Sequence, residues 1–243
     1  MTAVGLDLLA VMAHPDDAEL LCGGSLAKAA AAGRRVGVLD LTAGEMGSSG
    51  TPEIRLEEAA RAASVLGVNL RLNAGLPDAR IVVDPDSLSL LTGHLRKLRP
   101  RVVVTHWTTG RHPDHERTAE LVRHASFLAG LRKYRPELGS AFRPHKLVHA
   151  TAFREDADPP DFVVDISKHV EARMAAMAAY PSQFEGATGM GEVFPGGDRP
   201  IAEQVLAKLA HYGSLIRARY GEPFRAREAL EVHDLAELRV SSF

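Results

Sequence analysis

Along the first 130 residues the hydrophobic positions switch between two periods. "LDLLAVMA" (6–13) is a continuous apolar run of strand length, and "AELLCGGSLAKAAAAG" (18–33) has helical spacing that closes at Gly33. "RRVGVLDLT" (34–42) predicts a second strand, followed by the Gly/Ser-rich loop "AGEMGSSGTP". A helix is expected from Pro52, a residue suited to a first turn, to Gly67. "NLRLNAG" (69–75) predicts a third strand, "PDSLSLLTGHLRKLRP" a third helix and "RVVVTH" (101–106) a fourth strand. After the loop "WTTGRHPD" a fourth helix begins near His115.

The second half is less regular. "KLVHATAF" and "DFVVDIS" predict further strands and "KHVEARMAAMAAY" a helix. "SQFEGATGMGEVFPGGDRP" is rich in Gly and Pro and is expected to form a long loop over the site. "IAEQVLAKLAHYGSLIRARYG" returns to helical period. Strands and helices alternating at these lengths imply βαβ units. The expected fold is therefore α/β: a Rossmann-like, mostly parallel sheet with helices on both faces, its C-terminal segment covering the active-site edge. No linker interrupts the chain, so residues 1–243 are expected to form one domain.

Composition narrows the class. The chain is 45% hydrophobic and 25% charged with net charge −2, which lacks the basic footprint of a nucleic-acid binder. The single cysteine, Cys22, excludes a disulfide framework and a thiolate zinc site, and is expected to pack as a small hydrophobe. With no basic leader and no apolar run of spanning length, a cytoplasmic protein without a membrane segment is expected.

The chemistry gathers in the loops that follow strands. In open α/β sheets ligands bind beyond the carboxyl ends of the strands. The loops after strands 1, 2 and 4 should all emerge there, and they carry "HPDD", "TAGEMGSSGTPEIR" and "HWTTGRHPDH". His14, Asp16 and Asp17 come from one loop, and His112, Asp114 and His115 from another. Two imidazoles and one carboxylate, with a position left for water, make a catalytic zinc set, whereas structural sites are closed by four ligands. A spare carboxylate could take the proton of the attacking water. The blander account is that each "HPD" is a turn whose acid caps the next helix; two such loops on one sheet edge weigh against that account, and capping is compatible with metal binding.

Three rivals fit less well. Asp40 at the end of strand 2 has the look of a dinucleotide-site acid, but no G-x-G-x-x-G follows strand 1. "GGSLA" (23–27) approaches a nucleophile elbow, yet Ser25 falls inside the predicted helix. His14-x-Asp16 with a later His matches the ligands of non-haem Fe(II) oxygenases, whose typical scaffold is all-β.

"AHPDDAE" after strand 1 and "RHPDH" after strand 4 resemble the LmbE-like, or PIG-L-like, family of zinc-dependent N-acetylglucosamine deacetylases. "DLTAGEMGSSGTPEIRLEEAARAASVLGV", "NAGLPDAR" and "YGEPF" look most like its bacillithiol-biosynthesis branch, which deacetylates N-acetylglucosaminyl-malate. The resemblance implies metal ligands at His14, Asp17 and His115, a general base at Asp16, and an oxyanion-stabilising His112, best protonated. It implies that Asp114 orients His112, and that Arg55, Arg111, Tyr180 and Gln183 contact substrate. It further implies zinc as cofactor, with Fe2+ permitted by the same ligand types, a small GlcNAc conjugate as substrate, and a homo-oligomer. Deacetylation of another GlcNAc conjugate, or sugar binding without turnover, are the alternative readings.

Overall fold

The computed structural model describes residues 4–153, 159–189, 197–238 and 240. Among these residues seven strands form one sheet: β1 (Leu8–Met12), β2 (Val36–Asp40), β3 (Leu70–Asn73), β4 (Val102–His106), β5 (Lys146–Ala150), β6 (Phe162–Asp165) and β7 (Gly221–Arg225). The helices are α1 (Asp17–Ala31), α2 (Pro52–Leu66), α3 (Pro85–Leu98), α4 (Pro113–Ala129), α5 (Val170–Ala178), α6 (Pro181–Phe184) and α7 (Ile201–Leu215).

The strand order is β3-β2-β1-β4-β5-β7-β6. The first five of these are parallel, and β7 runs antiparallel to both of its neighbours. The chain leaves β1 for β2 and β3 on one side and returns to β4 on the other. That reversal opens a crevice beyond the carboxyl ends of β1 and β4, where ligands bind in such sheets. Both His-Pro-Asp loops emerge there.

Side-chain alternation divides the core in two. Ala10, Met12, Val38 and Val104 point to the face covered by α1, α2, α5 and α7. Leu9, Val11, Leu39 and Val103 point to the face covered by α3 and α4. Strands buried on both faces must read as unbroken apolar runs, which is why β1, β2 and β4 were visible in the sequence. Cys22 is fully buried, as expected. Among the described residues, no helix is long and apolar enough to cross a membrane.

Three boundaries differ from the sequence reading. Helix α4 starts at Pro113, ahead of the expected His115, because His112 caps it: its Nδ1 accepts from the Asp114 N–H at 3.3 Å. The helical pattern expected through Gly221 ends at Leu215, and the chain turns through Arg217 (φ 57°) into the unforeseen strand β7. Pro223 argues against a strand inside a sheet, yet here its carbonyl still accepts from the Thr151 N–H. The long loop expected over 182–200 overlaps the short helix α6, while its residues 190–196 lie outside the described residues.

Candidate active site

The site begins with a backbone bend. Asp16, in the loop between β1 and α1, sits at φ 107°, a left-handed conformation that costs a non-glycine residue about 1–3 kcal/mol. The bend sends two adjacent carboxylates to different partners. Asp16 Oδ2 accepts from Arg55 Nη2 at 3.1 Å, while Asp17 turns towards His14, His106 and His115. The same Arg55 nitrogen donates to the Pro15 carbonyl at 2.7 Å, and Nη1 donates to the Gly44 carbonyl at 2.9 Å. Arg55 thereby ties the β1 loop to the Gly-rich loop after β2.

Asp17 is the hub. Its Oδ2 lies 3.2 Å from His14 Nδ1 and its Oδ1 lies 3.2 Å from His115 Nε2. The other His14 ring nitrogen, Nε2, faces Asp78 Oδ1 at 3.0 Å. Asp78 is itself held by the backbone N–H groups of Met46 (2.9 Å) and Ala79 (2.7 Å). The rings of His106, His115 and His112 stack in succession, with centroids 3.9 and 4.5 Å apart.

Among the described residues three overlapping groups could hold a metal: His14–His112–His115, Asp17–His106–His115 and His14–Asp78–Asp114. Hydrogen bonding separates them. His106 Nε2 accepts the Ala13 N–H at 3.0 Å, so that lone pair is taken. His112 Nδ1 accepts the Asp114 N–H, so a neutral His112 carries its proton on Nε2 and has no lone pair there for a metal. Asp78 and Asp114 already accept two backbone N–H groups each. The set that the resemblance implies, His14, Asp17 and His115, spans these groups, with Asp17 beside both imidazoles. Oδ2 of Asp17 lies 3.2 Å from His14 Nδ1 and Oδ1 lies 3.2 Å from His115 Nε2, so the carboxylate stands between the two imidazoles. Asp78 on the far His14 nitrogen would fix the tautomer that presents Nδ1.

The charges are strongly perturbed. Burial pushes the Asp16 carboxyl up to about 7, with the Arg55 guanidinium pulling down and Asp17 pushing up. Burial acts on Asp17 in the same sense, but the His115 and His106 imidazoles outweigh it and hold Asp17 well below the usual carboxylate range. Burial alone would lower His14, yet Asp114, Asp17 and Asp78 raise it well above the ordinary imidazole value. Burial and the neighbouring His115 push His106 down to about 4. His112 is lowered by burial, His115 and His14. With Nδ1 accepting the Asp114 N–H, Nε2 is the ring nitrogen left to donate.

A cavity of about 860 Å³ opens over these groups. His14, Asp16, Asp17, Arg55, Arg111, His112, His115 and Gln183 line it. Gln183 donates to the Ser49 carbonyl at 2.9 Å, joining α6 to the Gly-rich rim. Two expected residues stand elsewhere. Tyr180 is fully buried in the core beside α5, its hydroxyl donating to Glu19 at 3.3 Å, away from the cavity wall. Asp114 accepts from the backbone of Ala79 and Ile81 and lies 3.6 Å from His14 Nε2, so the backbone N–H of Asp114, rather than its carboxylate, orients His112.

Sequence reasoning missed Asp78 and His106. Asp78 lies inside the quoted "NAGLPDAR", where "PD" reads as a turn, and His106 closes an apolar strand run. The rivals fare poorly. Asp40 is gripped by Arg71 at 2.7 and 3.0 Å, which leaves it no ribose to hold, and Ser25 lies within α1.

A family model described as "PIG-L: GlcNAc-PI de-N-acetylase" matches residues 9–126, from β1 into α4 and across both His-Pro-Asp loops. The chain is 29% identical to diacetylchitobiose deacetylase of Thermococcus kodakarensis, over 93% of this chain and 85% of that protein. It is 31% identical to a 1D-myo-inositol 2-acetamido-2-deoxy-alpha-D-glucopyranoside deacetylase of Nocardioides sp., over 72% of this chain and 82% of that one. The solved structure of the conserved protein TT1542 from Thermus thermophilus superposes with a TM-score of 0.83 at 41% identity, covering 93% of this chain and 97% of that one. Shared sequence on this scale, laid over the two loops that build the site, places the chain in the PIG-L de-N-acetylase family.

Proposed function

We propose that the protein is a zinc-dependent hydrolase that removes the acetyl group from an N-acetylglucosamine conjugate, with N-acetylglucosaminyl-malate as its substrate. The observation that carries the reading is the divergence of Asp16 and Asp17: one carboxylate joins the imidazoles, and its neighbour faces the cavity unclaimed by them. A site that only bound a sugar would have no use for that second acid. Relatives named for deacetylating acetamido sugars support the reaction. The malate conjugate is supported by the sequence likeness to the bacillithiol branch.

His14, Asp17 and His115 would hold the ion. Zinc bound there supplies Lewis-acid polarisation of the acetamide carbonyl and acidifies water. Asp16 takes the proton of the attacking water, and the Arg55 guanidinium opposes the burial that raises the Asp16 carboxyl to about 7. His112 donates its Nε2–H to the oxygen that gains charge as the tetrahedral centre forms; one such donor is typically worth about 3 kcal/mol. The amide C–N bond then breaks, the amine leaves with a proton returned from the site, and acetate is released. Arg111 and Gln183 line the cavity and would meet the substrate outside the reacting amide.

Metal analysis together with acetate release tests this. One zinc per chain and acetate from N-acetylglucosaminyl-malate are expected, with slower release from other GlcNAc conjugates. Release from a different conjugate alone would reassign the substrate. Zinc without acetate from any conjugate would make the protein a binder.

A further inference from the structure

Helix α1 is broken. Cys22 has φ −145° and ψ 15°, far from helical values, and the break falls five residues after Asp17. Such a break leaves backbone groups without their i→i−4 partners, and buried orphans are costly. At Gly24, Ser25 and Leu20 the orphans are fully accounted for. The Gly24 and Ser25 N–H groups donate to the two oxygens of Glu222, at 2.8 and 2.7 Å. The Leu20 carbonyl accepts from Arg173 Nη2. Arg173 Nη1 and Glu222 Oε1 close the arrangement with a 2.7 Å ion pair.

Glu222 is fully buried and Arg173 nearly so. Glu222 comes from β7, in "YGEPF", and Arg173 comes from α5. The ion pair thus supplies hydrogen-bond partners to the backbone on both sides of the break. What the break achieves is independent aim. The first turns of α1 carry Asp17 to the imidazoles and Leu20 and Leu21 to the cavity wall, while the remainder of α1 packs in the core.

We infer that Glu222 and Arg173 are positioning residues, which hold the break in α1 and so set where Asp17 presents its carboxylate. The inference rests on the metal role proposed for Asp17, and its readout is metal binding. Glycine is required at position 24 by the same geometry. A Cβ there would lie 2.6 Å from Ile166 Cδ1 and 2.9 Å from Glu222 Oε1.

The full-length zinc-loaded protein and its Glu222→Gln variant would be titrated with a competing chelator, and the visible spectra of their cobalt-substituted forms compared. Partners behind metal ligands typically contribute about 10–100-fold in affinity, and at least a tenfold loss with an altered cobalt spectrum is expected. Gly24→Ala, which displaces the same carboxylate without removing charge, should shift both readouts in the same direction. It decides the question if Glu222→Gln does not fold. Leu95→Ala, on α3 in the core at the opposite face of the sheet, is the stability control: a lower Tm with unchanged metal affinity. Glu222→Gln with a Tm loss like the control, but wild-type affinity and spectrum, would overturn the inference alone. A wild-type chain that holds no zinc would overturn both the inference and the proposed function.

Discussion

Arg55 Nη2 lies 3.1 Å from Asp16 Oδ2, with both groups buried at the end of β1. The resemblance assigned Arg55 to the sugar, whereas its guanidinium is committed to Asp16 and to the carbonyls of Pro15 and Gly44. Its electrostatic effect is to oppose the burial that lifts Asp16 to about 7. Arg55→Met should therefore raise the Asp16 pKa further. A base works only when ionised, so the rising limb of kcat/KM against pH should move to higher pH. At any pH below the limb, kcat/KM should fall about tenfold for each pH unit the limb moves. A pH–rate profile checks this; an unmoved limb with only a higher KM would return Arg55 to substrate binding.

Asp78 should matter without touching substrate. Its Oδ1 faces His14 Nε2 at 3.0 Å and its Oδ2 accepts the Met46 N–H. Asp78→Asn can keep a hydrogen bond but loses the charge that fixes the imidazole's proton on Nε2. Metal affinity should fall by about 10–100-fold, measured by chelator competition. Asp78→Ala should lower it further and loosen the Gly-rich rim.

What the sequence made legible was whatever depends on local pattern. The parallel strands β1, β2 and β4 are buried on both faces and had to be apolar throughout, and the two His-Pro-Asp loops were visible because their residues are contiguous. Features set by distant partners were not legible. Nothing near Asp78 indicates that His14, 64 residues earlier, will donate to it. The strand at Gly221–Arg225 was hidden by a helical pattern running into it and by Pro223. Tyr180 was assigned to the cavity by resemblance, but the chain leaving α5 turns it inward, where its hydroxyl finds Glu19.

The metal-free protein should lose stability towards alkaline pH. His14 is raised well above its ordinary value by Asp114, Asp17 and Asp78, which outweigh burial. A raised imidazole contributes stability that is full below the unfolded value of about 6.5 and is lost as pH rises through the folded value. Asp17 works in the opposite direction: its depressed pKa gives stability above about 3.9, lost as pH falls through the folded value. Stripped protein should show a Tm that declines as pH rises above neutrality, and His14→Gln should flatten that slope. Metal requires a neutral His14, so zinc uptake by the wild type should release a proton, which calorimetry in buffers of different ionisation enthalpy detects.

His112 and Tyr180 make the sharpest contrast. The His112 ring is 4.5 Å from that of His115 and shares a potential ligand group with it, so proximity alone would count it as a ligand. The Asp114 N–H on its Nδ1 argues otherwise, because a neutral ring accepting there keeps its proton on Nε2 and has no lone pair there for a metal. His112→Ala should lower kcat by about 100–1,000-fold with zinc content unchanged, as loss of an oxyanion donor does. Loss of zinc instead would make His112 a ligand. Tyr180→Phe removes one buried hydrogen bond to Glu19 and should cost about 1 kcal/mol of stability. Its kcat and KM should match the wild type, because its side chain stands behind the site. A changed KM for Tyr180→Phe would bring that residue back to the cavity.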